Sequence, residues 1–135
     1  MALQLSEAVR NARLDAIETT VGATAVLKVW TGAQPANCAA ADSGTLLASL
    51  TLPADWMDAA NAGSKTKAGT WQDASADNAG TAAHFRLYAS DGTTCHMQGS
   101  VSATGGGGDM VLDNAVLAAG QSFTVTSFSL TDSNA

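Results

Sequence analysis

Residues Thr81 to Val101, TAAHFRLYASDGTTCHMQGSV, carry two period-2 alternations separated by Asp91-Gly92, the pattern of a β-hairpin. Ala83, Phe85, Leu87 and Ala89 alternate with His84, Arg86 and Tyr88; beyond the turn, Cys95, Met97 and Val101 alternate with His96, Gln98 and Ser100. The two runs constrain their own pairing. A two-residue loop would set Phe85 and Leu87 on the face of His96 and Gln98. An odd loop of three or five residues instead pairs Ala89 with Cys95 and Leu87 with Met97, uniting the apolar sets. The odd loop is therefore expected, with Gly92 left-handed. His84, Arg86, Tyr88 and His96 then face outward and Cys95 inward.

Upstream, Ser6 followed by Glu7 opens a helical segment that stops at Gly22. Leu5, Val9, Ala12, Ala16 and Ile17 form one apolar stripe, continued by Leu14, Ile17 and Val21, while Leu3 and Leu5 precede the cap and need cover. Thr24–Thr31 and Thr45–Leu52 read as strands. The segment between them, GAQPANCAAADSG, has no period and reads as loop. Trp56 and Met57 lie in a loop or single helical turn after Pro53. Ser64–Trp71 reads as an edge or solvent-facing strand marked by lysines, and TGGGGD at 104–109 as a mobile tip. Met110–Leu117 and Ser122–Thr131 read as a second hairpin. In its last strand Phe123 and Val125 differ in parity from Phe128 and Leu130, which a bulge near Thr126 or Ser127 reconciles. The expectation is a mainly β, β-sandwich or jelly-roll-like domain of about seven short antiparallel strands with one N-terminal α-helix. It forms a single domain over 1–135, with a helical arm at 1–22 and a β-sandwich body at 23–135.

Composition narrows the function classes. Only 13% of residues are charged, the net charge is −6, and the six basic residues are scattered. No basic stripe exists to neutralise phosphates, so nucleic acid is not an expected partner. The apolar runs are too short to cross a bilayer, so no membrane partner is expected. The first residues, MALQLSEAVRNARLDAIETT, lack the apolar core of a secretory signal, which favours a cytosolic start. A surface of Ala, Ser, Thr, Asn and Gly costs little to desolvate and suits packing against copies of the chain or a partner, as it also suits a plain extracellular β-domain. Cys38 and Cys95 are a possible cysteine pair that oxidising surroundings would join; the alternative is two small buried hydrophobes, inert in the case of inward-facing Cys95.

Catalytic and metal patterns are weak. His84 and His96 have no further ligands at zinc spacing. Asp73-Ala-Ser75-Ala-Asp77 opens like a calcium loop, but Asn78 stands where that loop needs glycine and His84 where it needs glutamate. Asp109 and Asp113 flank a strand and would bind a cation only with help from elsewhere. Gly105–Gly108 lacks the Lys-Ser/Thr of a phosphate loop. No Glu lies beyond Glu18, and no nucleophile elbow is present. The expectation is a non-enzyme with no cofactor and no metal. Trp30, Trp56 and Trp71 either anchor a core or interface or line a sugar-binding face.

The pieces SEAVRNARLDAIETTVG, TGAQPANCAAADSGTLLASLTLPADWM, GTWQDASADNAGTAAHFRLYASDGTTCHMQGSV and LAAGQSFTVTSFSLT resemble a set of small proteins from the structural modules of tailed bacteriophages and prophages. The resemblance spans nearly the whole chain and brings no catalytic residues. It implies a virion protein assembled in the bacterial host cytoplasm, most consistent with capsid decoration or cement. The partners would be the major capsid protein and copies of the chain itself, in a homo-oligomer such as a trimer. Leu3, Leu5, Val9 and Ile17 on the helix, or Trp56 and Met57 in their loop, are the candidate partner or oligomer interface. The alternatives are a tail, head-tail connector or fibre-associated subunit, and a carbohydrate-binding adhesion module using outward tryptophans and the Tyr88-Arg86-His84 face.

Overall fold

The computed structural model describes residues 3–134. The chain is mainly β with a single N-terminal helix: α1 (Glu7–Val21), then β1 (Val26–Trp30), β2 (Leu46–Thr51), β3 (Ser64–Thr66), β4 (Gln72–Asp73), β5 (Gly80–Thr81), β6 (His84–Tyr88), β7 (Cys95–Ala103), β8 (Met110–Leu112), β9 (Val116–Leu117) and β10 (Phe123–Thr131). Among the described residues there are ten strands where about seven were expected, because the turn-rich connections supply short pairs of their own, such as β5 with β9 and β4 with β10.

The central hairpin forms as β6 and β7. Leu87 pairs with Met97 as the alternation requires, and Gly92 adopts φ +71. Asp91 caps the turn, its carboxylate accepting from the Thr93 and Thr94 amides at 2.9 Å. A bulge between Leu87 and Tyr88 then shifts the pairing, so Cys95 sits opposite Tyr88 rather than Ala89. That extra residue turns Cys95 away from the core face, correcting the inward assignment. The bulge expected near Thr126 is present between Val125 and Ser127, and it buries both Val125 and Phe128.

Hydrogen bonding runs β2-β1-β6-β7-β8-β10-β3. In a flat sheet β6 and β10 would stand roughly 14 Å apart, at ~4.8 Å per strand. Yet the Phe85 and Phe128 rings, one on each, meet edge to face with centroids 5.6 Å apart. The sheet therefore curls over one core, in which Leu27, Val29, Phe85 and Leu87 face Met110, Leu112, Phe123 and Val125. Trp71 bridges the halves, 6.1 Å from Trp56 and 5.7 Å from Phe128. The outer edge of β2 is covered where the Asp77 amide and the Asn78 side chain donate to the Leu47 and Leu46 carbonyls.

One pairing departs from the antiparallel expectation: β7 and β8 run parallel, Val101 beside Met110. Parallel neighbours ordinarily need a long crossover; here residues 104–109 double back along β7. Only glycine permits this, because a Cβ on Gly108 would lie 2.7 Å from the Ser102 nitrogen and one on Gly106 2.6 Å from the Ser102 Cβ. Gly108 donates to Ser102 Oγ at 2.9 Å, and Asp109 accepts from the Ser100 amide at 2.9 Å. The glycine run is thus a packed return, not the mobile tip its composition implied.

Candidate functional site

The outward face of β1, β6 and β7 holds a buried polar cluster around His84 and Arg86. Register places Lys28 beside Arg86 and Trp30 beside His84 on one side, and Gln98 beside Arg86 on the other. The segment 32–45 lies across these side chains as a strap, bound through its backbone. His84 Nδ1 donates to the Gly32 carbonyl at 2.9 Å, Gln98 Nε2 to Pro35 at 2.7 Å, and Arg86 Nη2 to Cys38 at 2.9 Å and Asn37 at 3.3 Å. Arg86 Nη1 and the Tyr88 hydroxyl both donate to one oxygen of the Asp42 carboxylate. Lys28 donates to the Gly92 carbonyl at 2.9 Å, its ammonium 4.8 Å above the Tyr88 ring.

Arg86 and His84 are each 1% exposed, although the alternation placed them, with Tyr88, at the surface. The correction has a simple cause. Alternation separates two faces by polarity, and here loop carbonyls rather than water take up part of the polar one, while Trp30 Nε1, His84 Nε2, Arg86 Nε and Gln98 Oε1 are buried without a hydrogen-bond partner. Burial opposes ionisation of Asp42, but the Tyr88 hydroxyl and the Arg86 guanidinium outweigh it and hold its carboxyl below the ordinary value. Burial, reinforced by the Asp42 hydrogen bond, raises the Tyr88 phenol. Arg86 is bonded to Asp42 and to the Cys38 carbonyl, and Lys28 to the Gly92 carbonyl, so the charges of the cluster hold the strap and the hairpin turn. The signal that could have found it is a lone arginine inside a central apolar strand of a charge-poor chain.

The two cysteines meet at this strap. Cys38 lies within it and Cys95 opposite Tyr88; both are unbonded and half-buried, and each thiol is the other's neighbour. Burial raises the Cys95 thiol, helped by the adjacent Cys38 thiol.

The candidate interface residues divide. Leu3 is 78% and Val9 46% exposed, whereas Leu5 and Ile17 are half-buried. Trp56 and Met57 are buried completely, which removes them as an interface: the Trp56 indole donates to the Gly22 carbonyl at 3.0 Å and its ring packs on Trp71. They plug the core below the helix end. Helix α1, capped by Ser6 accepting from the Val9 amide at 3.2 Å, docks through Leu14 and Val21. Val9, Ala12 and Ala16 of the stripe face outward instead.

Polar side chains decide that choice. Asp15 accepts from the Ala60 amide at 2.9 Å and Asn11 from the Gly63 amide at 2.9 Å. Arg13 pairs with Asp132 at 3.1 Å. Lys65, expected on a solvent-facing strand, is 3% exposed and reaches Asp15 at 2.7 Å and Glu18 at 2.9 Å. Burial opposes its charge, but the two carboxylates prevail and its pKa is raised. Beside this docked face, a groove of about 580 Å³ runs between Ala16 and Ile17 of α1 and Thr131–Asn134.

Among the described residues no three His, Cys, Asp or Glu side chains gather to hold a metal ion. His84 is tied to the strap and His96 stands exposed. The Asp73 carboxylate accepts from the Ser75 amide at 2.9 Å, closing a turn, and Asp113 from the Thr124 amide at 3.0 Å, extending the β8–β10 pairing. No described helix is long and apolar enough to cross a membrane. No protein-family model, curated protein or solved structure matches the chain.

Proposed function

We propose that the chain is a non-enzymatic structural subunit of a tailed-phage particle, a capsid decoration or cement protein that binds the outer shell as a homo-oligomer. The observation that carries this proposal is the outward face of α1. Val9 remains exposed on a helix whose other face is fixed to the body by Leu14, Val21 and the Lys65 ion pairs, and Leu3 is exposed in the segment just before that helix. A rigidly held helix with an apolar edge, on a charge-poor surface, is suited to contacts that are weak singly and strong in many copies. The resemblance of the four sequence pieces to virion proteins points the same way. Against the adhesion alternative, Trp56, Trp71 and the Tyr88-Arg86-His84 face are covered and offer no stacking platform to a sugar, which leaves half-buried Trp30 as the remaining tryptophan of the three.

The test is a density map of intact particles beside particles lacking this protein, with thermal bursting of both. Density at capsid symmetry axes, earlier bursting of the stripped shells and loss of rebinding by a Leu3→Asp/Val9→Asp variant support the proposal. Density confined to the tail, or unchanged bursting, refutes it in favour of a tail or connector subunit.

A further inference from the structure

We propose that Cys38 and Cys95 are a redox pair that closes into an intramolecular disulfide on meeting a small-molecule disulfide, locking the 32–45 strap to β7. The fold brings the two together from distant parts of the sequence. Arg86 donates to the Cys38 carbonyl at 2.9 Å, its guanidinium lies 5.9 Å from the Tyr88 ring, and Tyr88 is the cross-strand partner of Cys95. The β7 bulge is what turns Cys95 onto this side; without it the residue would face Ala89 and the strap would have no thiol opposite. Cys95 Sγ donates weakly to the Met97 carbonyl at 3.4 Å, and the Cys38 thiol is its neighbour. Both residues are half-buried rather than enclosed, so an oxidant has access.

The chemistry is exchange in two steps. One cysteine thiolate attacks a sulfur of oxidised glutathione, forming a mixed disulfide and expelling one glutathione thiolate. The second cysteine, having lost its proton to solvent, attacks the protein sulfur of that mixed disulfide and expels the other thiolate. Two cysteines are oxidised, one glutathione disulfide is reduced, and two glutathione thiols leave. Burial keeps the Cys95 thiol protonated, so the exchange runs faster in mildly alkaline buffer. The bond closes a long loop in the unfolded chain and adds a covalent tie where Arg86 and Asp42 already hold the strap.

The experiment treats the reduced full-length protein with oxidised glutathione under native, mildly alkaline conditions. Thiol titration, intact mass, peptide mapping and thermal melting follow. Expected are simultaneous loss of both thiols, a mass lower by two hydrogens with no glutathione retained, a monomer on a non-reducing gel, and a linked Cys38–Cys95 peptide. The melting temperature rises by about 5–15 °C and dithiothreitol reverses the rise. Cys38→Ser keeps a stable glutathione adduct on Cys95. Glutathione retained on both cysteines of the unmutated protein, covalent dimers, thiols that stay unreactive in the folded state, or a cross-linked chain melting no higher than the reduced one would each overturn the proposal.

Discussion

Replacing Arg86 with Met removes the strap's anchor while nearly keeping its volume. The guanidinium donates to the Asn37 and Cys38 carbonyls and to Asp42. Hydrogen bonds to charged groups contribute ~1.5–3 kcal/mol each when dry. Two discounts apply. The Asp42 side chain is 37% exposed, so water screens the ion pair to under about 1 kcal/mol. Asn37 is exposed and Cys38 only half-buried, so both carbonyls regain part of their hydration. Arg86→Met should then cost about 2–4 kcal/mol. Asp42→Asn keeps both carbonyl bonds but leaves the buried guanidinium without its counter-ion, for about 1–2 kcal/mol. Because each change removes the other's partner, the double variant should cost less than the sum by about 1 kcal/mol. Urea unfolding followed by fluorescence of buried Trp56 and Trp71 gives the stabilities. Hydrogen exchange over 33–45 should quicken in all three variants before the core opens. An Arg86→Met cost below about 0.5 kcal/mol, or additive costs with an unchanged strap, would show that the strap is held by something else.

Further outcomes test the remaining structure. Gly108→Ala should destabilise by about 1–3 kcal/mol, because its Cβ would press on the Ser102 and Val101 backbone; equal melting with wild type would mean that the 104–109 return is loose. Trp56→Ala should cost about 3–5 kcal/mol as a core truncation, read by denaturant titration, and a near-neutral change would restore the residue to the surface. Lys65→Met should loosen α1, seen as faster exchange of its amides, since Asp15 and Glu18 then face each other without a cation. Stability should form a plateau in pH. Asp15 and Asp42 have lowered pKa values, so their contribution is present above the unfolded carboxylate range and fades as pH falls below about 4. Tyr88 and Lys65 have raised values, so theirs is complete below about 10 and fades above it. Asp42→Asn should flatten the acid limb, and an unchanged limb would assign it elsewhere.

Local chemistry fixed much of this molecule in advance. Alternation at 83–101, with Asp91 and Gly92, determined a hairpin with Leu87 opposite Met97. Ser6 and Gly22 bounded the helix, and the parity change after Val125 required a bulge. All of these depend on neighbours a few residues apart, where hydrogen bonding and side-chain direction leave few choices. The tertiary structure alone decided which face of α1 docks, because Leu14 and Val21 prevail over Val9 and Ala12 only through Asp15, Glu18 and Asn11 reaching Lys65 and the 60–63 backbone. It also decided that Trp56 and Met57 fill the core, that residues 104–109 return to make β7 and β8 parallel, and that Arg86 and His84 lie beneath a strap beside two cysteines. A polar side chain records in sequence only that it needs partners. Whether those are water or the carbonyls of a distant loop is settled when the chain closes on itself.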